Sequence, residues 1–335
     1  MQAAARAPVK SRSFLVILLK LACAGASAAA GAAAVAGAGE PPPWAYPMPQ
    51  AERAAPADDG RPVHVPGSSV TYLRPQLTNP YEAVDWHPEE HAPLPTVVAH
   101  GRPPEVYACG YCHRADGSGG PENARLAGLP YGYILQQLAD LRSGARRSSL
   151  PQRMPQTAMA AVAKALTPDD ARAAAAYFST IKPRRTVRVV EATTVPQTIT
   201  PGWFLAPAPG GAMEPIGQRI IEVPEDLADF EHRDTHAQFI AYVPPGALQR
   251  GAAIVAGAAA GKSPPCAQCH GVGLHGQGNV PGLAGRSPSY VVRQLHDIQS
   301  GARAGQAVQV MRGLVGRLDM NDMIDVAAYI ATLEP

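Results

Sequence analysis

The chain contains one segment twice, and this internal repeat limits the folds it can adopt more than any other feature. Aligning Cys109 with Cys266 gives an offset of 157 residues. At that offset the patterns Leu-Ala-Gly, Gln-Leu and Ser-Gly-Ala-Arg recur in the same order, and further on the offset falls to 152. The two copies therefore differ by five residues in length, and a surface loop tolerates an insertion or deletion of that size. The repeat therefore predicts two copies of one domain, which agrees with a length of 335 residues.

Each copy carries the pattern C-x-x-C-H. These residues are Cys109, Cys112 and His113 in the first copy, and Cys266, Cys269 and His270 in the second. Two thiols three positions apart lie on one side of a helical turn, where each can add to a haem vinyl group, and the adjacent histidine can ligate the iron. A zinc site or a redox dithiol is the alternative for a C-x-x-C pair. The adjacent histidines favour two covalently attached haem c groups.

Residues 1–38 have the pattern of a secretory signal peptide. A basic start is followed by the apolar run 14–19 and an Ala/Gly-rich stretch that ends in a small-x-small site at 36–38. An uncleaved anchor helix is the alternative, and it would associate the protein with a membrane. Lipidation at Cys23 is disfavoured because Lys20 breaks the pattern that it needs. The sequence therefore predicts a periplasmic protein.

Each copy is predicted to be helical. Apolar residues recur on one face over 133–142 and again over 290–298. Thr167, followed by Pro and Asp, has the pattern of a helix N-cap, and Asp319 begins the matching helix of the second copy. A helix over 247–260 precedes the second haem motif. Its counterpart in the first copy is short because two prolines interrupt it.

Two segments lie outside the repeats. Residues 39–99 are rich in proline and predict an extended, mostly irregular arm. Residues 183–245 contain several apolar clusters, which predict packing against the haem domains and some short strands. Several histidines in these segments could ligate a metal, but surface or structural roles are favoured: His64, His87, His91, His100, His232 and His236.

Composition excludes some functions and supports a bound cofactor. A net charge of +2 gives no electrostatic case for binding nucleic acid. Only 6% of the residues are aromatic, and alanine makes up much of the apolar content. Two compact cores are hard to fill with alanine unless a large apolar group is supplied, and a haem in each copy would supply it.

These motifs resemble the tandem di-haem class I cytochromes c of the c-four type. The resemblance covers about 100–182 and 246–335, which is roughly half of the chain. It implies a mainly α fold of two class I cytochrome c-like helical haem domains in tandem, joined by a long, partly extended segment. The predicted organisation is a signal peptide (1–38), a Pro-rich arm (39–99), haem domain 1 (100–182), an inter-domain segment (183–245) and haem domain 2 (246–335).

The resemblance also implies that a histidine and a methionine hold each iron. His113 would pair with Met159, and His270 with Met311. Each methionine lies seven residues before the leucine that precedes the final helix. In the first copy Met154 is a second candidate, but it lies twelve residues before that leucine. Two methionines at the start of the last helix are expected to be packing residues, Met320 and Met323.

The leading hypothesis for function is a periplasmic electron carrier. It would receive single electrons from a dehydrogenase or a quinol-oxidising donor and pass them to an oxidase-type acceptor. His/Met ligation fills both axial positions of an iron, which disfavours the alternative of a di-haem enzyme. Another alternative is an electron-accepting subunit of a periplasmic dehydrogenase or oxidase complex, because the segments outside the repeats could bind a larger partner.

Overall fold

The computed structural model describes residues 39–50 and 58–335. The predicted signal peptide, its cleavage site and the alternative of an anchor helix lie outside the described residues. The described residues belong to one compact unit. Among their helices, none combines the length and apolar character needed to cross a membrane.

The arm at 39–99 is mostly irregular, but it has a small core of its own. Its regular elements are the helices α1 (Arg74–Leu77) and α2 (Thr96–Ala99) and a 3-10 turn (Pro88–Glu90). Trp86 is completely buried in a cluster of apolar side chains, and its indole N–H donates to the carbonyl oxygen of His232 at 2.8 Å. The arm is therefore fixed against the inter-domain segment.

The first copy of the repeat is a set of four helices. They are α3 (Cys109–His113), α4 (Tyr131–Ser143), α5 (Met154–Ala165) and α6 (Pro168–Thr180). Helix α4 ends where Gly144 adopts the left-handed conformation, with φ 78°. Helix α6 begins at the predicted cap, because the Thr167 hydroxyl accepts a hydrogen bond from the Asp170 backbone N–H at 3.1 Å. Both boundaries follow from local sequence.

The inter-domain segment forms short strands. They are β1 (Val187–Glu191), β2 (Thr194–Pro196), β3 (Thr198–Ile199), β4 (Ala206–Pro207), β5 (Met213–Pro215), β6 (Ile221–Pro224) and β7 (Phe239–Val243), with helix α7 (Leu227–Glu231) before β7. Strand β7 lies between β1, to which it is parallel, and β6, to which it is antiparallel. Val187, Phe239 and Val243 are buried in the same core as the second copy. The segment therefore packs against the second copy of the repeat, as the apolar clusters predicted.

The second copy repeats the helical order of the first. Its elements are α8 (Ala247–Val255), α9 (Ala267–His270), the strands β8 (Gly276–Gln277) and β9 (Val280–Pro281), α10 (Pro288–Gln299), α11 (Gln309–Val315) and α12 (Met320–Thr332), with 3-10 turns at Val272–Leu274 and Gln306–Val308. Helix α8 crosses α12 closely at Gly251, where a Cβ atom would lie 2.0 Å from the carbonyl oxygen of Asp325. The predicted helix over 247–260 ends at Val255, because Gly257 turns the chain with φ 73°.

The segment at 39–50 packs against the second copy. Tyr46 is 2% exposed, and its hydroxyl donates to Asp297 in α10 at 2.8 Å. The carbonyl oxygen of Ala45 accepts from Arg293 of the same helix at 2.7 Å. Residues far apart in the chain therefore share one core.

Candidate functional site

Both C-x-x-C-H motifs line one cavity of about 1570 Å³. Its wall includes Cys109, Cys112 and His113 from the first copy and Cys266, Cys269 and His270 from the second. Much of the rest is apolar and comes from the helices of both copies, including Phe178, Leu141, Ile298 and Ile330. Pockets for one drug-sized ligand usually measure about 300–1000 Å³. This cavity therefore has room for more than one large group. In each copy it takes the place that core side chains would otherwise fill.

The two histidines of the motifs are held in the same way. Nδ1 of His113 lies 2.8 Å from the carbonyl oxygen of Ala124, and Nδ1 of His270 lies 2.8 Å from that of Pro281. A carbonyl oxygen only accepts, so Nδ1 carries the proton and Nε2 keeps its lone pair for a metal. Burial also lowers the pKa of both histidines, against the opposing effect of these hydrogen bonds. The lowered pKa favours the neutral imidazole that iron ligation requires.

None of the four motif cysteines is in a disulfide, and the burial of three of them disfavours the thiolate form. Burial raises the pKa of Cys109 to about 12, and it also raises the pKa of Cys112 and Cys266. A redox dithiol or a zinc site needs thiolates. Within the described ranges, the residues close enough to share a metal ion include none of the four cysteines. The zinc alternative therefore receives no support.

The candidate methionines fall into two groups. Met159 in α5 and Met311 in α11 line the cavity, and so does Met154, which is 46% exposed. Met323 is completely buried in the core, and Met320 packs against that core. Met159 and Met311 lie within helices that occupy matching places in the two copies.

Several arginines of the cavity wall are buried, and sequence reasoning gave them no role: Arg153, Arg286, Arg293 and Arg303. Arg146, also in the wall, is half-buried. Arg153 is 4% exposed, and burial lowers its pKa to about 9. Its Nε, like that of Arg303, has no hydrogen-bond partner among the described residues. Buried cations without counter-charges are costly. A haem carries two propionate carboxylates, so the charge of this wall fits two haems.

A signal for two of these arginines was present in the repeat. Arg146 and Arg303 end the two copies of the Ser-Gly-Ala-Arg pattern. Their backbones form an antiparallel bridge where the copies meet. Arg146 donates to Gln137 at 2.9 Å and Arg303 donates to Gln294 at 3.1 Å, each within its own copy. The pattern recurs because both copies use it to build the same junction.

His87 and His236 form a cluster with Asp234 outside this cavity. Their rings stack with centroids 3.8 Å apart and an angle of 8° between the planes. Nε2 of His87 lies 3.1 Å from Asp234, and Nε2 of His236 lies 3.0 Å from Glu90. Because an imidazole lone pair lies in the ring plane, two parallel rings cannot both point at one ion. These contacts agree with the structural role predicted for His236, whereas His87, expected at the surface or in a turn, is 3% exposed.

Comparisons with known proteins cover both copies. The family model for cytochrome c matches residues 104–182 and 249–334. The thiosulfate dehydrogenase electron acceptor of Thiomonas intermedia (strain K12) is 28% identical over 232 residues, which is 68% of this chain and 80% of that protein. Cytochrome c4 of Azotobacter vinelandii is 26% identical over 233 residues, covering 67% and 84%. Cytochrome c-554(547) of Halothiobacillus neapolitanus is 36% identical over 88 residues, covering 23% and 97%.

These matches agree with the geometry of the cavity. The family model falls on each copy of the repeat in turn, and the c4 relative spans both copies. The predicted fold class, two cytochrome c-like helical haem domains in tandem, is confirmed. The chain belongs to the cytochrome c family, as a tandem di-haem electron-transfer cytochrome of the c4 type with two covalently bound haem c groups.

Proposed function

We propose that this protein is a periplasmic carrier that passes single electrons between respiratory redox partners. The observation that carries the proposal is the arrangement of the cavity. Two histidines with fixed tautomers and two methionines from matching helices line the same space as the two cysteine pairs. Each copy therefore has the residues for one six-coordinate haem.

In this proposal each side chain has a defined role. Cys109 and Cys112 attach one haem, and Cys266 and Cys269 attach the other. His113 and His270 are the proximal ligands, held by the carbonyl groups that accept from Nδ1. Met159 and Met311 are the distal ligands. A bound haem supplies a one-electron change at iron, and methionine ligation raises its potential.

A carrier is favoured over a di-haem enzyme. If His113 and Met159 held one iron, and His270 and Met311 the other, neither iron would keep a position open for a substrate. A cysteine-ligated catalytic site would need a further thiol. The chain has five cysteines, of which four belong to the two motifs and Cys23 lies in the predicted signal peptide.

The donor that we propose is a dehydrogenase. Support comes from the T. intermedia relative, whose name describes an electron acceptor of a thiosulfate dehydrogenase and which matches both copies. The second candidate function is a permanent subunit of such a dehydrogenase. Purification of the native protein separates the two. A dehydrogenase recovered in equal stoichiometry supports the subunit, and a cytochrome recovered alone supports the carrier.

The central test is a reduced-minus-oxidised spectrum of the purified protein with haem quantitation. We expect two haems per chain, low-spin ferric iron, and the weak near-infrared band of methionine ligation. One haem per chain, or a high-spin ferric iron, would overturn the two-site proposal. N-terminal sequencing of the exported protein tests the processing step, for which we expect a start after residue 38.

A further inference from the structure

Glu222 is a buried carboxyl group to which electron transfer itself gives no role. It lies in β6, where every residue is buried, and it is 2% exposed. Its Oε2 atom accepts from the Ser287 hydroxyl at 2.8 Å, the Ser289 hydroxyl at 2.5 Å and the Ser289 backbone N–H at 3.1 Å. Its Oε1 atom has no hydrogen-bond partner among the described residues. The inter-domain segment therefore places a half-satisfied carboxyl group at the start of α10.

Three buried arginines lie near Glu222, but their guanidinium groups are bonded to the backbone. Arg125 and Arg286 line a small void together with Glu222, and Arg293 acts on it through its charge. The carbonyl oxygens that accept from the three are those of Ala284, Gly285, Gly282, Arg125, Ala45 and Pro121. An ionised Glu222 is therefore a buried charge without an ion-pair partner in the part of the chain that the structure describes.

The two serine hydroxyls allow Glu222 to hold or lose a proton with little rearrangement, because a hydroxyl can donate or accept. The ionised group accepts from both hydroxyls. With a proton on Oε2, the acid can donate to the Ser289 hydroxyl oxygen, and that hydroxyl can turn to the Ser287 oxygen, 3.3 Å away. The Ser289 backbone N–H serves the carboxyl group in both states. The site therefore accommodates the ionised and the neutral form.

The surroundings of Glu222 raise its pKa. Burial is the largest influence and acts in that direction, whereas the hydrogen bonds from Ser289 and Ser287 and the charge of Arg293 lower the pKa. Any further negative charge nearby would raise it again, because a like charge disfavours the carboxylate. In a low-dielectric interior such an effect reaches further than it does in water.

Only one layer of side chains separates Glu222 from the cavity of the two haem motifs. Tyr290 and Arg286 line that cavity and also line the void beside Glu222. The void measures about 10 Å³, and the half-buried residues Ser118 and Thr186 also line it. A space of this size holds one water at most. Such a water would give a proton a short route between Glu222 and the surface.

We propose that Glu222 takes up one proton when an electron enters the second haem and releases that proton on oxidation. This inference rests on the proposed function. The electron comes from the redox donor and reduces iron(III) to iron(II), and the proton comes from solvent and converts the carboxylate to the carboxylic acid. The charges of the two balance. The second haem is the one concerned because α10, which carries Ser289 and Arg293, belongs to the second copy.

The dependence of the haem potentials on pH tests this coupling in the holoprotein by spectroelectrochemical titration. We expect the potential of the second haem to fall as the pH rises, by at most about 59 mV per pH unit, the value for one proton per electron. Glu222→Gln cannot take up the proton and should remove most of this slope. Glu214→Gln is the control, because it changes a carboxylate of the same segment that is 31% exposed, and it should keep the slope.

Ser289→Ala tests the partner of the carboxyl group. It removes a hydroxyl that favours the ionised form, so the range of pH in which the potential changes should move upwards. A full slope in Glu222→Gln would assign the proton to another group, such as a haem propionate, and would overturn the inference.

Reduced-minus-oxidised infrared spectroscopy detects the proton in the unaltered protein, so this test does not depend on the folding of a variant. We expect reduction to produce the carbonyl stretching band of a carboxylic acid, which shifts to lower frequency in heavy water. Glu222→Gln should lose the band and Glu214→Gln should keep it. Absence of the band from the unaltered protein would overturn the inference.

Haem quantitation on the same samples separates this inference from the proposed function. Two haems per chain, combined with a potential of the second haem that does not change with pH, refute only the role of Glu222. One haem per chain refutes the proposed function.

Discussion

Arg303 of the second copy donates a hydrogen bond to the hydroxyl of Tyr133 in the first copy at 2.9 Å. Arg146 of the first copy makes the reciprocal bond to Tyr290 at 3.2 Å. Arg303 also reaches Gln137 of the first copy at 2.9 Å. Two copies of one domain therefore meet through residues at equivalent positions, and each guanidinium satisfies polar groups on both sides of the junction.

Loss of Arg303 should weaken this junction considerably. Arg303→Ala removes the donor to the Tyr133 hydroxyl and one of the two arginine donors to the Gln137 oxygen, which keeps its bond from Arg146, so we expect the free energy of unfolding to fall by about 1–3 kcal/mol. Tyr133→Phe removes one hydrogen bond and should cost about 1 kcal/mol. Urea denaturation of the holoprotein measures both. Equal losses for the two variants would show that the arginine acts through that one bond alone.

Substitution of the methionines should identify the distal ligand of the first haem. Met159→Ala should remove that haem's share of the near-infrared band and lower its potential, because a soft, weakly donating ligand is lost. Met154→Ala changes a side chain that also lines the cavity but is 46% exposed, and it should leave band and potential nearly unchanged. The reverse result would assign Met154 instead and would leave the second haem unaffected.

The crossing of α8 and α12 should not tolerate a side chain at Gly251. A Cβ atom there would lie 2.0 Å from the carbonyl oxygen of Asp325, so Gly251→Ala must separate the helices. We expect a loss of about 1–3 kcal/mol in the free energy of unfolding, as for other overpacked cores. Gly313→Ala in α11 is the control, because a Cβ atom there meets nothing within 4 Å. It should stabilise the protein by about 0.5–1 kcal/mol, and a loss of similar size in both variants would exclude the steric explanation.

The cap of the last helix should make part of the stability dependent on pH. The Asp319 carboxylate accepts from the Asp322 backbone N–H at 2.9 Å, and this bond, with Lys262 nearby, lowers the pKa of Asp319. Because folding lowers this pKa, the stabilisation from the Asp319 carboxylate is fully present above the ordinary aspartate pKa, about 4. It is lost as the pH falls through the pKa that Asp319 has in the folded protein. Asp319→Ala should therefore cost about 1 kcal/mol at pH 7 and less in acid.

Thr167→Ala provides the comparison for this pH effect. Thr167 caps α6 at the matching position of the first copy, and its hydroxyl does not titrate. We expect its loss in free energy of unfolding to stay nearly constant between pH 7 and acid conditions. If the cost of Asp319→Ala were equally constant, the charge of Asp319 would not contribute to the cap.

Local patterns allowed much of this structure to be predicted. The caps at Thr167 and Asp319 and the two C-x-x-C-H turns each depend on residues within five positions of one another, and the structure has all of them. The packing of the arm and the inter-domain segment against the first C-x-x-C-H motif could not be predicted in this way. Arg233 contacts Tyr111 across 122 positions, and no periodicity links the two. The roles of Arg146 and Arg303 were equally hidden, because a repeated motif shows that a residue recurs without showing what it contacts.

Tyr46 lies near the start of the described chain, and the partner of its hydroxyl, Asp297, lies 251 positions later. A ribosome that makes this chain releases Tyr46 long before α10 exists. The contact that fixes Tyr46 therefore forms only after most of the chain has been made. The first haem domain is made between these two partners, and it remains inside an unfinished loop until the second domain closes it.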